Sequence, residues 1–148
     1  MSYKDIRIAN QSAYSRIVKK WNEGWSEKDE EFHNHHRKLF LDHFQGNSII
    51  DIGCGLGRDS LYFADKGYSV TSADIVKDYL PAIKRKNLSI SVLAMDMTKL
   101  PIAESAFDAA YLFESFLHIP HEFSLGILCE LKRILKPGGL LFINHVFS

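Results

Sequence analysis

The stretch IIDIGCGLGRDS, residues 49–60, decides the fold of this chain. Its isoleucines form a short apolar run, three glycines follow at alternate positions, and a helix-like pattern begins directly after them. This order predicts a strand, a tight loop and a helix. Glycine lets the loop adopt left-handed backbone conformations and lets a ligand lie against the main chain. The loop also opens onto a helix N-terminus, where unpaired N–H groups collect.

The glycine spacing argues against a dinucleotide-binding loop. That fingerprint reads G-x-G-x-x-G, whereas this chain has glycine at positions 53, 55 and 57, with Arg58 in the place of the third fingerprint glycine. The acid Asp51 just before the loop is a further difference. The sequence therefore indicates a different ligand on a similar unit of strand, loop and helix.

The composition limits the classes of function. The chain has 148 residues, of which 46% are hydrophobic, enough for one domain with a real core. Its 18 acidic and 18 basic residues balance, so no net charge favours nucleic acid or an anionic membrane as a partner. There is no membrane-spanning run and no apolar centre of a signal peptide. With its two cysteines in separate predicted elements, we expect a cytoplasmic protein.

Strand and helix patterns alternate through the rest of the chain. Apolar runs predict further strands near residues 68–75, 90–94, 107–112 and 140–147. Two polar-rich helices precede the first strand. The predicted fold is a doubly wound α/β structure, Rossmann-like, with a parallel sheet in the order 3-2-1-4-5. We expect an N-terminal helical cap over residues 1–47 and a ligand-binding core over residues 48–148, in one compact domain.

Acidic residues follow several strands at the carboxyl edge of the predicted sheet, which is the edge at which the parallel strands end. Asp74 ends the second strand about 20 residues after Gly53, the separation at which a carboxylate meets a ribose. A carboxylate accepts two hydrogen bonds and so can hold both ribose hydroxyls. The alternative is a helix N-cap or a turn acid. Asp96 follows the third strand, and Glu114 follows the fourth.

The histidines of the second helix do not form a recognisable metal motif. His33, His35, His36 and His43 lie close together in the sequence, but no cysteine or carboxylate stands at a ligand spacing, and H-E-x-x-H is absent. We therefore predict no metal site.

Residues 51–57, DIGCGLG, resemble motif I of the class I S-adenosylmethionine-dependent methyltransferases. Residues 95–119, MDMTKLPIAESAFDAAYLFESFLHI, are similar to the region of small-molecule methyltransferases between the adenine-binding acid and the fourth strand. The segment LKPGG at 135–139 is similar to the turn that introduces the fifth strand of that family. The likeness covers residues 48–147.

The resemblance implies S-adenosylmethionine as the cofactor. The loop would carry its methionine portion, Asp74 its ribose, and Ile75 would flank the adenine. Asp96 would accept a hydrogen bond from the exocyclic amine of the adenine, and Met97 would pack on the ring. The residues expected to bind the cofactor are Asp51, Gly53, Cys54, Gly55, Gly57, Asp74, Ile75, Asp96, Met97 and Phe113.

The resemblance also implies methyl transfer to a small-molecule acceptor. His118, in the loop after the fourth strand, is the candidate general base, with Glu114 and His121 behind it. A packing or hydrogen-bonding role is the alternative for His118. Nucleobase-amine methyltransferases carry Asn or Asp followed by Pro-Pro-aromatic at this place, and that tetrad is missing here.

The chain stops at Ser148, before the helix and the two strands with which family members usually continue. An exposed fifth strand leaves backbone groups unpaired, so we expect a homodimer through that edge, a shortened gene product or an expressed fragment. Two other functions remain open. The first is an inactive module that binds S-adenosylmethionine or S-adenosylhomocysteine and needs a partner chain. The second is a nicotinamide-dependent oxidoreductase, which Arg58 disfavours.

Overall fold

A computed structural model describes residues 2–144, apart from the side chains of residues 18, 19, 21 and 22. The chain divides into two compact units, Met1–His43 and Phe44–Ser148. The first unit contains two helices, and the second contains a five-stranded sheet with its own helices.

After the second helix, strands and helices alternate except between the third and fourth strands, which are joined by a stretch without a helix. The helices are α1 (Tyr3–Glu23), α2 (Glu27–His43), α3 (Arg58–Asp65), α4 (Leu80–Lys86) and α5 (His121–Ile134). The strands are β1 (Ser48–Ile52), β2 (Ser69–Asp74), β3 (Ser91–Ala94), β4 (Phe107–Phe113) and β5 (Leu135–Asn144). Short 3-10 helices cover Lys77–Tyr79 and Phe116–His118. Among the described helices, none combines the length and hydropathy that crossing a bilayer requires.

The helical unit is stabilised by polar contacts. A capping box formed by Ser2 and Asp5 begins α1, and the N–H of Gly24 closes its last turn on the carbonyl of Lys20. In α2 the guanidinium of Arg37 is 2% exposed and donates to Glu30 Oε1 at 2.7 Å. The buried side of α2 therefore contains an ion pair, which its hydrophobic periodicity did not predict.

The sheet of the second unit is parallel throughout and has the order β3-β2-β1-β4-β5. This confirms the predicted fold class and strand order. Ile49, Ile50 and Ile52 of β1 are all buried, because a central parallel strand is covered on both faces. The order changes direction between β1 and β4, and in such sheets the crevice beyond the strand ends at that point is where ligands bind.

Different side chains pack on the two faces of the sheet. One face forms a core cluster in which Ile50, Ile52 and Leu112 join Leu131 of α5. On the other face the ring of Tyr111 lies edge-on to Phe63 of α3, with centroids 5.1 Å apart. Helices therefore cover both faces, as a doubly wound sheet requires.

The segment LKPGG belongs to β5 and does not form a separate turn before it. Leu135 pairs with Phe107, and the pairing resumes at Leu140 with Ala109, so the residues between them form an irregularity in the ladder. Gly138 within it has a φ of +77°, which glycine adopts without strain. The predicted residues 145–147 of this strand lie outside the described part of the chain.

Candidate active site

The glycine loop between β1 and α3 is held in place from two sides. Gly53, Gly55 and Gly57 have φ values of +76°, +52° and +77°. The N–H groups of Gly53 and Cys54 both donate to the carbonyl of Ala73, at 2.8 and 3.1 Å. A Cβ on Gly53 would lie 2.3 Å from Ser115 Cβ, whereas one on Gly55 would meet nothing within 4 Å. The loop is therefore tightly packed at its start and open at its centre.

Asp74 ends β2 beside the open centre of the glycine loop. It is 8% exposed, and its two carboxylate oxygens accept from Gly55 N and Val76 N, each at 2.8 Å. Burial raises the pKa of Asp74, and these backbone hydrogen bonds oppose the rise. Because each carboxylate oxygen has a second lone pair, Asp74 holds the loop and keeps acceptor capacity for a ligand.

Asp51 lies in a buried chain of hydroxyl groups on the α3 face of the sheet. Ser72 Oγ donates to Ser60 Oγ, which donates to Asp51 Oδ2, both at 2.6 Å. Burial, followed by the negative charges of Asp59 and Asp74, raises the pKa of Asp51 to about 8. The carboxyl group therefore supports the loop from within the core.

The surroundings of Cys54, which is half-buried, disfavour its thiolate form. Burial, together with the nearby charges of Asp51 and Asp74, holds the pKa of Cys54 well above its usual range. Since the thiolate is the nucleophilic form of cysteine, a thiol kept protonated contributes packing and shape to the loop.

Asp96 and Met97 follow β3 at the same edge of the sheet. Asp96 Oδ1 accepts from the N–H and the hydroxyl of Thr98, at 3.0 and 2.8 Å. Met97 is half-buried against the core cluster, and Ile75 is half-buried after β2. Asp96 thus has a local turn partner, and the roles of these residues toward a ligand stay predictions.

The loop after β4 contains the candidate general base. Phe113 is 8% exposed and its ring is parallel to that of Tyr111, with centroids 6.1 Å apart. Glu114 is exposed and has a φ of +52°, a strained value for a residue with a side chain. His118 is half-buried, and burial lowers its pKa. A neutral imidazole at physiological pH is the form that can accept a proton.

The predicted residues gather at one edge because the strands are parallel and β1, β2, β3 and β4 are neighbours. A direct hydrogen bond joins Asp74 to Gly55. Sequence reasoning did not select Ser60, Ser72 or Ser115. Ser60 lies three residues before the buried Phe63 on the same face of α3, and a serine on a buried helix face indicates a polar partner. Ser115 gives no such signal, since its partner is 63 residues away in the chain.

Two of the four histidines of α2 lie within hydrogen-bond distance of backbone carbonyls of their own helix. His36 Nδ1 lies 2.8 Å from the carbonyl of Phe32, and His43 Nδ1 lies 2.9 Å from that of Leu39. Within residues 2–144, no group of three or more His, Cys, Asp or Glu side chains is placed to hold a metal ion.

Comparison with known proteins agrees with the fold and the glycine loop. Residues 50–143 match the methyltransferase domain family. Methyltransferase GfsG of Streptomyces halstedii is 31% identical over 113 residues, which cover 72% of this chain and 40% of that protein. Sterol 4-C-methyltransferase strm-1 of Caenorhabditis elegans is 35% identical over 105 residues, which cover 67% of this chain and 31% of that protein. This chain thus spans about a third to two fifths of the length of these relatives.

A solved structure shows the same fold. It is that of the 1,6-didemethyltoxoflavin-N1-methyltransferase of Burkholderia thailandensis, with 1,6-didemethyltoxoflavin and S-adenosylhomocysteine bound. The TM-score is 0.77 at 21% identity, and the match covers 95% of this chain and 63% of that one. The sheet order and glycine loop define a class I S-adenosylmethionine-dependent methyltransferase fold. By the match over residues 50–143, the chain belongs to the methyltransferase domain family.

Proposed function

We propose that this chain binds S-adenosylmethionine at the carboxyl edge of the sheet and transfers its methyl group to a small-molecule acceptor. The observation that carries the proposal is the open centre of the glycine loop beside the Asp74 carboxylate. An added Cβ at Gly55 meets no atom within 4 Å, and Asp74 lies in hydrogen-bond contact with the N–H of that same glycine. Asp74 thus suits the ribose of a ligand, and the open main chain at Gly55 suits a polar group next to that ribose.

The cofactor contacts are assigned from the residues at this edge. Gly53, Cys54, Gly55 and Gly57 offer main-chain surface to the methionine portion, and Asp51 supports the loop from below. Asp74 accepts from the ribose hydroxyls with its remaining lone pairs. Ile75 and Met97 pack on the adenine, Asp96 accepts from its amine, and Phe113 closes the crevice between β1 and β4.

The bound cofactor supplies a methyl group already activated by the sulfonium charge, so the protein mainly positions the acceptor and excludes water. His118 accepts a proton when the acceptor must lose one, which agrees with the lowered pKa of its half-buried imidazole. Glu114 lies exposed on the same loop, where it can orient a polar acceptor.

The small-molecule acceptor is supported by the relatives and by charge. One relative is named a sterol methyltransferase, and the solved structure holds 1,6-didemethyltoxoflavin. The 18 basic residues are balanced by 18 acidic ones, so no overall field attracts a polyanion. The competing proposal is a module that binds the cofactor and needs a partner chain for transfer.

Calorimetric titration of the chain with S-adenosylmethionine and S-adenosylhomocysteine tests the cofactor site. We expect saturable binding, weakened about tenfold or more by Gly55→Ala because the added methyl group occupies the open centre of the loop. Gly67→Ala is the matched control. Gly67 also has a positive φ and open space around its Cβ position, but it lies in the turn after α3. Equal binding by wild type and Gly55→Ala would contradict the proposed placement.

Transfer is tested separately, with S-adenosylmethionine labelled in its methyl group and a panel of small hydroxyl, amine and sterol compounds. Labelled product would support the enzyme. Tight cofactor binding without labelled product from any compound would favour the module that needs a partner.

A further inference from the structure

Two loops of the second unit meet where the β1–β4 ladder ends. The pairing of these strands runs from Ile49 with Ala109 to Asp51 with Tyr111. Beyond that point β1 still pairs with β2 through Ile52 and Ala73. The β4 side therefore opens at the crevice in which doubly wound sheets bind ligands.

The side chain of Ser115 crosses this opening. Ser115 is 7% exposed, and its hydroxyl donates to the carbonyl of Ile52 at 2.8 Å. We call this hydrogen bond the Ser115 bridge. The contact is close, because a Cβ on Gly53 would lie 2.3 Å from Ser115 Cβ and 2.9 Å from its Oγ. Glycine at position 53 is therefore required for the bridge as well as for the loop conformation.

The chain on both sides of Ser115 is shaped around this contact. Glu114 has a φ of +52°, a conformation that persists in a residue with a side chain only when its surroundings hold it. After Ser115, the N–H groups of His118 and Ile119 close a 3-10 turn on the carbonyls of Ser115 and Phe116. The candidate base is therefore placed by a turn that begins at the bridge.

We propose that Ser115 is a positioning residue, which fixes the acceptor-side loop of residues 114–119 against the glycine loop through the Ser115 bridge. The inference rests on the proposed function, because that function assigns the cofactor to the glycine loop and the acceptor to the loop of residues 114–119. Methyl transfer requires the two reacting atoms at a fixed separation and angle. The bridge sets the relative position of the two loops without touching either reactant.

Amide hydrogen exchange with S-adenosylhomocysteine as the probe tests this coupling. When the S-adenosylhomocysteine concentration is about ten times the Kd, amide exchange that requires release of the ligand slows by about tenfold. In the wild-type chain we expect this slowing at His118 and Ile119 as well as in the glycine loop. In Ser115→Ala the loop of residues 114–119 opens independently, so the slowing at these two amides falls below about twofold. Ser115→Thr keeps the hydroxyl, so the slowing at these two amides should be the same as in the wild-type chain.

Ser48→Ala is the matched control, because the Ser48 hydroxyl also links β1 to β4, through Asp108 Oδ2 at 2.9 Å at the opposite end of these strands. It should retain the full slowing. Full slowing in Ser115→Ala, or an equal loss in Ser48→Ala, would overturn the inference. Ser115→Cys, whose thiol is a weak donor, replaces the alanine variant if that one does not fold.

The wild-type result separates this inference from the proposed function. Absence of S-adenosylhomocysteine binding would overturn both. Binding with slowed exchange in residues 53–57 but unchanged exchange at His118 and Ile119 would overturn the positioning role alone.

Discussion

The two ends of strands β1 and β4 hold carboxylates in opposite environments. At the carboxyl edge Asp51 is 2% exposed, and the charges acting on it are those of Asp59 and Asp74, which raise its pKa further after burial. At the amino edge, where these strands begin, Asp108 is 21% exposed and forms an ion pair with Lys136 at 2.8 Å. The pKa of Asp108 is held well below its usual range, mainly by the hydrogen bond from Lys136 and then by those from the N–H groups of Asn47 and Ser48.

The difference separates an acid whose neighbours are hydrogen-bond donors from an acid that also has acidic neighbours. Asp108 Oδ2 accepts from Asn47 N, Ser48 N and Ser48 Oγ, all at 2.9 Å, so protein donors fill its acceptor positions. Asp51 is buried beside the negative charges of Asp59 and Asp74, and burial also raises the pKa of Asp74, so keeping these acids in the fold costs stability. Such an arrangement is typical of functional sites.

The largest effect is expected from Gly53→Ala. The new Cβ would overlap Ser115, and the φ of +76° disfavours a side chain. We expect a loss of about 3 kcal/mol in the free energy of unfolding, together with loss of S-adenosylhomocysteine binding. Urea denaturation and calorimetry measure the two effects.

Gly46→Ala is the matched variant at the amino edge. Its Cβ would lie 2.6 Å from Asp108 Cβ, so it should also lower stability, but binding should survive in the folded fraction. Equal loss of binding in both variants would show that the two edges do not differ in function.

Asp108→Asn should cost on the order of 2 kcal/mol in the free energy of unfolding, because it removes the ion pair and leaves a backbone or side-chain donor without its acceptor. Binding of S-adenosylhomocysteine should stay within about twofold of wild type, because Asp108 lies at the opposite end of β1 and β4 from the glycine loop. Asp65→Asn, the same charge change at the exposed end of α3, should change stability by less than about 0.5 kcal/mol. A binding defect in Asp108→Asn would place this acid in the site.

The two edges should respond to pH with opposite signs. The folded-state pKa of Asp51 is about 8, so between about pH 4 and pH 8 the unfolded chain releases a proton that the folded chain keeps. Stability therefore falls as the pH rises through this window. Asp51→Asn should make this slope shallower, as measured by denaturation at several pH values.

Asp108 gives the opposite response in acid. Its folded-state pKa is depressed, so its contribution is present above the unfolded-state pKa, about 3.9, and is lost as the pH falls below it. Asp108→Asn should therefore flatten the acid side of the stability profile and leave the neutral side unchanged. A neutral-side slope that persists unchanged in Asp51→Asn would contradict the assignment of that slope to the buried acid.

The smallest effect is expected from Lys136→Ala. Its side chain is 46% exposed, and ion pairs at such positions contribute less than about 1 kcal/mol and are screened by salt. The loss of stability should therefore shrink between low and high salt. A loss as large as that of Asp108→Asn would mean that the ion pair, and not the backbone hydrogen bonds, makes Asp108 important.

The sequence predicted the carboxyl edge far better than the amino edge. Glycine spacing and the acids after β1 and β2 are local signals, and the resemblance to a known family gave them an order. Asp108 carries no such signal, since an acid at the start of a strand looks like any surface residue.

LKPGG predicts a turn, because Pro and Gly favour one, but the segment pairs with β4 and so forms an irregular part of β5. Arg37 lies on the buried side of α2 because Glu30 and Asn34 pair with its guanidinium.

The strands and the glycine loop follow from the sequence alone, because apolar runs and glycine positions are properties of neighbouring residues. The strand order and the family were predicted from the sequence through its resemblance to a known family. The partners of the polar side chains were decided only by the tertiary structure. Ser60 meets Asp51 because α3 packs on one face of the sheet, and Ser115 meets Ile52 although 63 residues separate them. A buried hydroxyl or carboxyl group must find a hydrogen-bond partner wherever the packed chain offers one, and only the folded chain brings such distant groups within bonding distance.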